Sequence, residues 1–275
     1  MRYILIILFN MILVSNSFAQ QESKWFPSNL NIQPFTANYI EPKAGFSYLI
    51  AKSEIELNIG TSSDIFQYIN DNSILSFGAD LFTYTRLRGE SEFHFPVDAV
   101  DYLFGINTGY KILKSNEEYG FRFRLSHISA HFADGHFDSG SNQWKNGRKP
   151  TVYSREFVEF FPYYKLDALR FYVGLTYLFH VKPKEIGKGI YQAGFDYYFY
   201  NLFSNNISSF IAYDFKLDNI GKYFGNNIFS LGIKLGKYYA KGFSISFNYF
   251  SGKSIHGEYY DLNENYSTIG VNLDL

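Results

Sequence analysis

Between Phe121 and His131 the chain reads Phe-Arg-Phe-Arg-Leu-Ser-His-Ile-Ser-Ala-His. Alternate positions carry first Phe121, Phe123 and Leu125, then His127, Ser129 and His131. Successive side chains of a β-strand point to opposite faces, so here a base, a hydroxyl and a second imidazole would stand in line with residues suited to hydrocarbon. A bulge at Ser126 would instead turn all three to the other face, beside Arg122 and Arg124. The chemistry open to such residues is nucleophilic acyl transfer, in which an imidazole takes the proton of a hydroxyl and a third group holds the imidazole. The next strand opens Thr151-Val152-Tyr153-Ser154-Arg155-Glu156, and hairpin pairing centred near residue 141 would bring Ser154, Arg155 and Glu156 beside His127. Ser129 would then be the nucleophile, His127 the base, and Glu156 or Ser154 the orienting group. The competing reading is structural, because a strand that leaves hydrocarbon ends in polar residues.

A metal is the second chemistry to weigh. His131, Asp134, His136 and Asp138 lie close together in sequence. Imidazole plus carboxylate suits Zn²⁺, while Asp134, Asp138 and loop carbonyls suit Ca²⁺. Asp134-Gly135 equally suits an ordinary turn. His94, His180 and His256 are isolated, and surface or lumen positions are expected for them. No phosphate-cradling glycine loop, zinc-protease helix or dinucleotide fingerprint occurs.

What positions these residues must be a sheet. Arg2, an apolar run from Tyr3 to about Val14, and Ser17-Phe18-Ala19 read as a cleavable export signal over residues 1–19. No later segment reaches about 18 unbroken apolar residues, which excludes helical spans and leaves strands as the only way across a membrane. The absence of Cys removes disulfides and thiolate metal sites. A net charge of -1 offers no basic stripe for nucleic acid. The 30 Phe and 25 Tyr exceed what a soluble core needs and suit strands with interfacial aromatic girdles.

From about residue 43 the chain divides into twelve segments of about ten residues, each alternating with period two. Leu169, Phe171, Val173, Leu175, Tyr177 and Phe179 alternate against Arg170, Tyr172, Gly174 and Thr176. Ile269, Val271, Leu273 and Leu275 alternate against Gly270, Asn272 and Asp274. Segments of about 9 to 11 residues suit a tilted bilayer crossing, whereas soluble strands average about 5 to 6. Short connections (around 113–118, 162–167, 201–206 and 239–241) interleave with generally longer ones (89–98, 132–150, 218–226 and 252–265), with 182–188 a short exception. The expected fold is all-β: a transmembrane, antiparallel up-and-down barrel of about 12 strands over 43–275, preceded by an irregular periplasmic lead or a plug over 20–42. Asp80, Arg86, Arg88, Arg122, Arg124, Arg170, Asp196, Asp214, Lys216 and Lys234 fall on inward faces, where mixed signs predict ion pairing that fills a narrow lumen. The fifth strand, about 119–131, would end at the outer leaflet where the long loop 132–150 begins, which puts His127, Ser129 and His131 near the extracellular rim.

His127-x-Ser129 with a partner on the following strand resembles the active site of outer-membrane phospholipase A. That resemblance implies a twelve-stranded calcium-dependent barrel with the nucleophile on its outer wall, where acyl chains lie. The family continues with Asn-Gly after the Ser and uses Asn as its third member; here Ala130-His131 follows, and the sixth strand has no Asn. A longer resemblance rests on Phe26-Pro27, on His127-Ile128-Ser129-Ala130-His131-Phe132-Ala133-Asp134 and on Tyr153-Ser154-Arg155-Glu156. By these residues the mature chain resembles a family of bacterial outer-membrane proteins, domain of unknown function 1207, which implies location and fold but no activity. The expectation is therefore an outer-membrane barrel with a lipid-acting acyl-ester hydrolase site. The alternative is a non-enzymatic barrel that is structural or binds or passes a small solute. Expected partners are membrane lipids and further copies of the chain; the cofactor is left unknown, with calcium the candidate.

Overall fold

Alternation of apolar and polar residues with period two leaves a strand one face for hydrocarbon and one for a polar interior, and closing the sheet removes its unpaired edges. The computed structural model describes residues 21–274 except 42, 51, 205, 238 and 239, with backbone alone over 201–204; the expected signal at 1–19 and the terminal Leu275 lie outside the described residues. Twelve strands form the wall: β1 (Gly45–Ile50), β2 (Glu54–Asn70), β3 (Ser73–Arg88), β4 (Val97–Lys114), β5 (Glu117–Phe132), β6 (Tyr153–Leu166), β7 (Leu169–Lys182), β8 (Gly189–Ser204), β9 (Ile207–Ile220), β10 (Lys222–Leu235), β11 (Gly242–Lys253) and β12 (Asn263–Asp274). Each pairs antiparallel with the next, and β12 pairs with β1 to close the barrel. All-β architecture and strand number agree with the sequence reading.

Strand lengths do not. Except for the six-residue β1, the strands run from 12 to 18 residues rather than about ten. The expected long connection at 218–226 is instead a tight turn at Gly221, whose φ of 67° suits glycine. The polar residues that read as a loop there face the lumen: Asp218 and Asn226 are buried and joined by a 2.6 Å hydrogen bond. An inward strand face and a loop draw on the same residue types, and hydropathy alone does not separate them.

The N-terminal segment starts as a strand and continues into the barrel. Gln21–Trp25 pairs with the end of β2, and Trp25 lies against Phe66. The chain then enters the lumen, where Asn31, Ile32, Phe35, Ala37, Asn38, Ile40 and Glu41 are buried. Phe35 stacks among Phe161, Tyr163 and Tyr172. Arg170 donates to the carbonyls of Gln33 and Pro34, and Asp64 accepts the Asn31 N–H at 2.6 Å.

The predicted internal ion pairing is present. Arg124 is fully buried, 3.1 Å from Asp80, 3.2 Å from Glu159 and 3.4 Å from Glu41. Arg122 meets Glu41, Arg170 meets Asp196, Arg86 meets Glu54 and Glu264, and Lys234 meets Asp274. The outer face exposes Leu81, Phe104, Ile106, Leu125, Leu175, Ile245 and Ile269 among many others. So continuous an apolar band is foreign to a water-facing wall and suits lipid. No helix of the described residues is long and apolar enough to cross a membrane.

Candidate outer-wall site

Burial along β5 alternates without interruption, with Arg122, Arg124, Ser126, Ile128 and Ala130 buried and the odd-numbered residues facing out. No bulge occurs at Ser126: β5 pairs with β6 in unbroken register. His127, Ser129 and His131 therefore stand on the lipid face. The β5–β6 register sets His127 opposite Glu156 and Ser129 opposite Ser154, as a hairpin centred near residue 141 requires. Ser154 and Glu156 share the outer face with His127. Arg155 does not: it alternates inward with Tyr153 and Phe157, its guanidinium over the Tyr153 ring.

The imidazole is held on one side. His127 Nδ1 lies 2.7 Å from Glu156 Oε1, and Ser154 Oγ donates to the same oxygen at 3.1 Å. The Phe104 ring covers the imidazole at 4.9 Å between centroids. With Nδ1–H given to the carboxylate, Nε2 carries the free lone pair, the state a general base needs. The Ser129 hydroxyl does not hydrogen-bond His127 in this structure. Catalytic hydrogen bonds are often long before substrate arrives and tighten in the complex.

A residue that sequence reasoning left isolated completes the cluster. His180 Nδ1 hydrogen-bonds Glu156 Oε2, so each carboxylate oxygen meets its own imidazole. By alternation with Arg170, Tyr172, Thr176 and Leu178, His180 should face the lumen. A register shift between Leu178 and His180 turns it outward instead. The resulting outer wall has two rows across four strands: Phe104, His127, Glu156 and His180 in one, Tyr102, Ser129, Ser154 and Lys182 in the other. The rows lie close to the loop end of β5, where an ionisable group on the lipid face costs about 0–1 kcal/mol rather than about 2–4 at mid-membrane.

The four residues considered for a metal are not brought together. His131 stays on the outer wall beside Tyr102. His136 turns inward, wholly buried, with Nδ1 2.9 Å from Asp98, Nε2 2.9 Å from the Arg148 carbonyl, and its ring stacked on Phe132. Asp134 accepts from Gly135 N, and Asp138 from Gly140 N and Ser141 Oγ, so both carboxylates serve turns. Among the described residues no three His, Cys, Asp or Glu side chains converge where a cation could sit. His131, Asp134, His136 and Asp138 therefore do not form one cation site. His94 is exposed beside Glu90, while His256 is buried beside Asp101.

A family model described as "Protein of unknown function (DUF1207)" matches residues 97–275, a span that takes in β4 through β12 and both rows of the outer-wall site. No curated protein sequence matches the chain. Among solved structures, outer membrane phospholipase A from Escherichia coli is similar with a TM-score of 0.55 and 13% identity, over 88% of this chain and 93% of that one. The Salmonella typhi outer membrane phospholipase dimer with bound calcium is similar with a TM-score of 0.56 and 13% identity, over 84% and 89%. At such identity the likeness establishes the barrel fold of an outer-membrane protein and nothing about chemistry.

Proposed function

Because the chain belongs to the family described as protein of unknown function (DUF1207), its activity has to be read from its own side chains, and we propose that it is an outer-membrane enzyme that cleaves acyl esters of membrane lipids. The observation that carries this reading is the outward-facing His127–Glu156 pair at 2.7 Å, with Ser129 on the same face of the same strand. A lumen-facing pair would meet solute; this pair meets acyl chains.

Ser129 Oγ attacks the ester carbonyl carbon while His127 Nε2 takes its proton. The tetrahedral intermediate collapses with cleavage of the carbon–oxygen bond, and the protonated imidazole returns its proton to the departing alkoxide. Water then enters by the same route: His127 deprotonates it, the acyl-serine bond breaks, and Ser129 recovers its proton. Glu156 keeps Nδ1 protonated and stabilises the imidazolium. His180 and Ser154 fix the carboxylate, so His127 begins each cycle with the correct nitrogen free.

The test is phospholipid turnover by the refolded protein, with and without Ca²⁺, beside Ser129→Ala and His127→Ala. Wild type should release fatty acid and both variants should not. Equal release by wild type and Ser129→Ala would end the assignment.

Small-solute binding is the second reading, favoured by a cavity of ≈ 600 Å³ at the short-turn end, lined by Lys111, Glu118, Lys165 and Arg170 among others. Residues of the inserted N-terminal segment form part of its wall, which suits a closed vestibule better than a passage.

A further inference from the structure

The shift between Leu178 and His180 moves more than one side chain. Upstream of it the even-numbered residues of β7 face the lumen; beyond it Val181 lies against the internal apolar cluster, while His180 and Lys182 are exposed on the outer wall. A single backbone irregularity thus delivers an ammonium group as well as an imidazole to the lipid face.

Lys182 is paired in register with Ser154, and Ser154 with Ser129. It stands two strand spacings from Ser129, about 9 to 10 Å across the sheet, and its long stem can span much of that distance. The neighbouring Glu156 carboxylate forms no ion pair with it. Both Glu156 oxygens are taken by His127, His180 and Ser154, and Lys182 Nζ makes no hydrogen bond or ion pair among the described residues. Lys184 and Lys188, on the connection that follows β7, are likewise exposed; Glu185 between them accepts from the Tyr260 hydroxyl. On the outer wall in the row of Ser129, Lys182 therefore stands without an ion-pair partner among the described residues.

We propose that Lys182 forms a phosphate subsite beside Ser129, so that the site takes phosphate-bearing lipid esters, with the headgroup on Lys182 while an acyl ester reaches Ser129. This rests on the reading of Ser129 and His127 as the reacting pair. In such a lipid a glycerol unit separates ester from phosphate, a spacing that fits two positions in one row of the wall. A lysine that merely reached for water would show no preference for phosphate.

Binding can be measured apart from turnover. Refolded Ser129→Ala protein in neutral vesicles is offered spin-labelled phosphatidylglycerol or spin-labelled diacylglycerol of the same acyl chains, and the immobilised fraction of each is compared. Phosphatidylglycerol should be preferred. Lys182→Ala in the same background should lower that preference roughly two- to fivefold, the range of a single solvent-edge charge contact, and Lys182→Arg should keep it. Excess inorganic phosphate should leave the preference in place, since the ligand is a lipid phosphate.

Absence of a preference, an unchanged preference in Lys182→Ala, or its abolition by inorganic phosphate would overturn the subsite. Fatty-acid release by the Ser129-intact protein separates the two ideas. A preference that follows Lys182 without any hydrolysis upholds the subsite and removes the hydrolase. Hydrolysis that needs Ser129, with a preference indifferent to Lys182, removes the subsite alone.

Discussion

Leu178 and His180 stand two residues apart on β7 and yet face opposite sides of the wall, Leu178 fully buried in the internal apolar cluster and His180 on the lipid face against Glu156. Two-residue spacing in a regular strand keeps side chains on one face; the register shift between them breaks that rule. Bulges re-aim side chains in this way and recur beside functional sites. The distortion gives the second carboxylate oxygen of Glu156 a partner, beside the His127 and Ser154 contacts on the first.

His180→Ala should therefore cost activity without abolishing it. Glu156 Oε2 loses its partner, the carboxylate samples other rotamers, and His127 spends less time with Nδ1 held. The loss of one hydrogen bond to a charged group suggests a fall in lipid release of about tenfold. His180→Gln, which retains an N–H donor, should recover most of it. Release unchanged in His180→Ala would mean that the Oε1 contacts with His127 and Ser154 suffice to hold Glu156.

Glu156 itself should matter more. Glu156→Ala removes the only hydrogen-bond partner of His127 among the described residues, and loss of the group that orients a catalytic imidazole costs roughly 10²- to 10⁴-fold in turnover. Glu156→Gln keeps an acceptor oxygen for Nδ1–H and should lose less. A steady-state comparison of the two variants decides the matter: equal activity in both would mean that hydrogen bonding to Nδ1 is not what Glu156 contributes.

Parity was legible and its interruption was not. Phe121, Phe123 and Leu125 commit one face of β5 to hydrocarbon, and side-chain alternation with a period of two carries His127 and Ser129 onto that face only if no bulge intervenes, a choice that the unbroken β5–β6 register decides. Register with β6 followed too, since pairing of the two strands across their connection placed Glu156 opposite His127. The β7 bulge left no such trace. Val181 is acceptable on either face, and Lys182 would have been equally at home in a lumen that already holds Arg124 and Lys216. His136 was misleading for a related reason: proximity to Asp134 and Asp138 in sequence suggested a shared ligand, whereas the chain turns between them and gives the imidazole to Asp98, 38 residues upstream.

Arg124 is the cation on which the lumen network turns. It is fully buried among Asp80, Glu159 and Glu41 and donates to the Ile40 carbonyl at 3.0 Å. Removing one partner of a buried ion pair leaves the others as uncompensated charges in a poorly solvated interior, at a cost of about 3–5 kcal/mol. Arg124→Ala should lower the urea midpoint of the refolded barrel by a corresponding amount. It should also expose the N-terminal segment to added protease, because Ile40 loses its anchor and Glu41 keeps only Arg122. A midpoint equal to that of wild type would mean that water or rearrangement satisfies Asp80 and Glu159 in its place.

Stability should also carry a pH signature from His256. This side chain lies on the connection between β11 and β12, wholly buried, with Nδ1 3.6 Å from Asp101 Oδ1. Burial lowers an imidazole's pKa, but the Asp101 carboxylate, aided by Glu56 and opposed by Arg86, outweighs it and leaves the value raised. The folded protein then binds this proton more tightly than the unfolded chain does. The resulting stabilisation is fully present below the ordinary value of about 6.5 and is lost as pH rises through the raised one. His256→Gln should therefore lower the urea midpoint most at about pH 5.5 to 6, and the gap to wild type should shrink steadily toward alkaline pH. A gap that is constant across that range, or one that widens, would show that His256 is held neutral and that Asp101 serves only the Gly257 N–H it accepts at 2.7 Å.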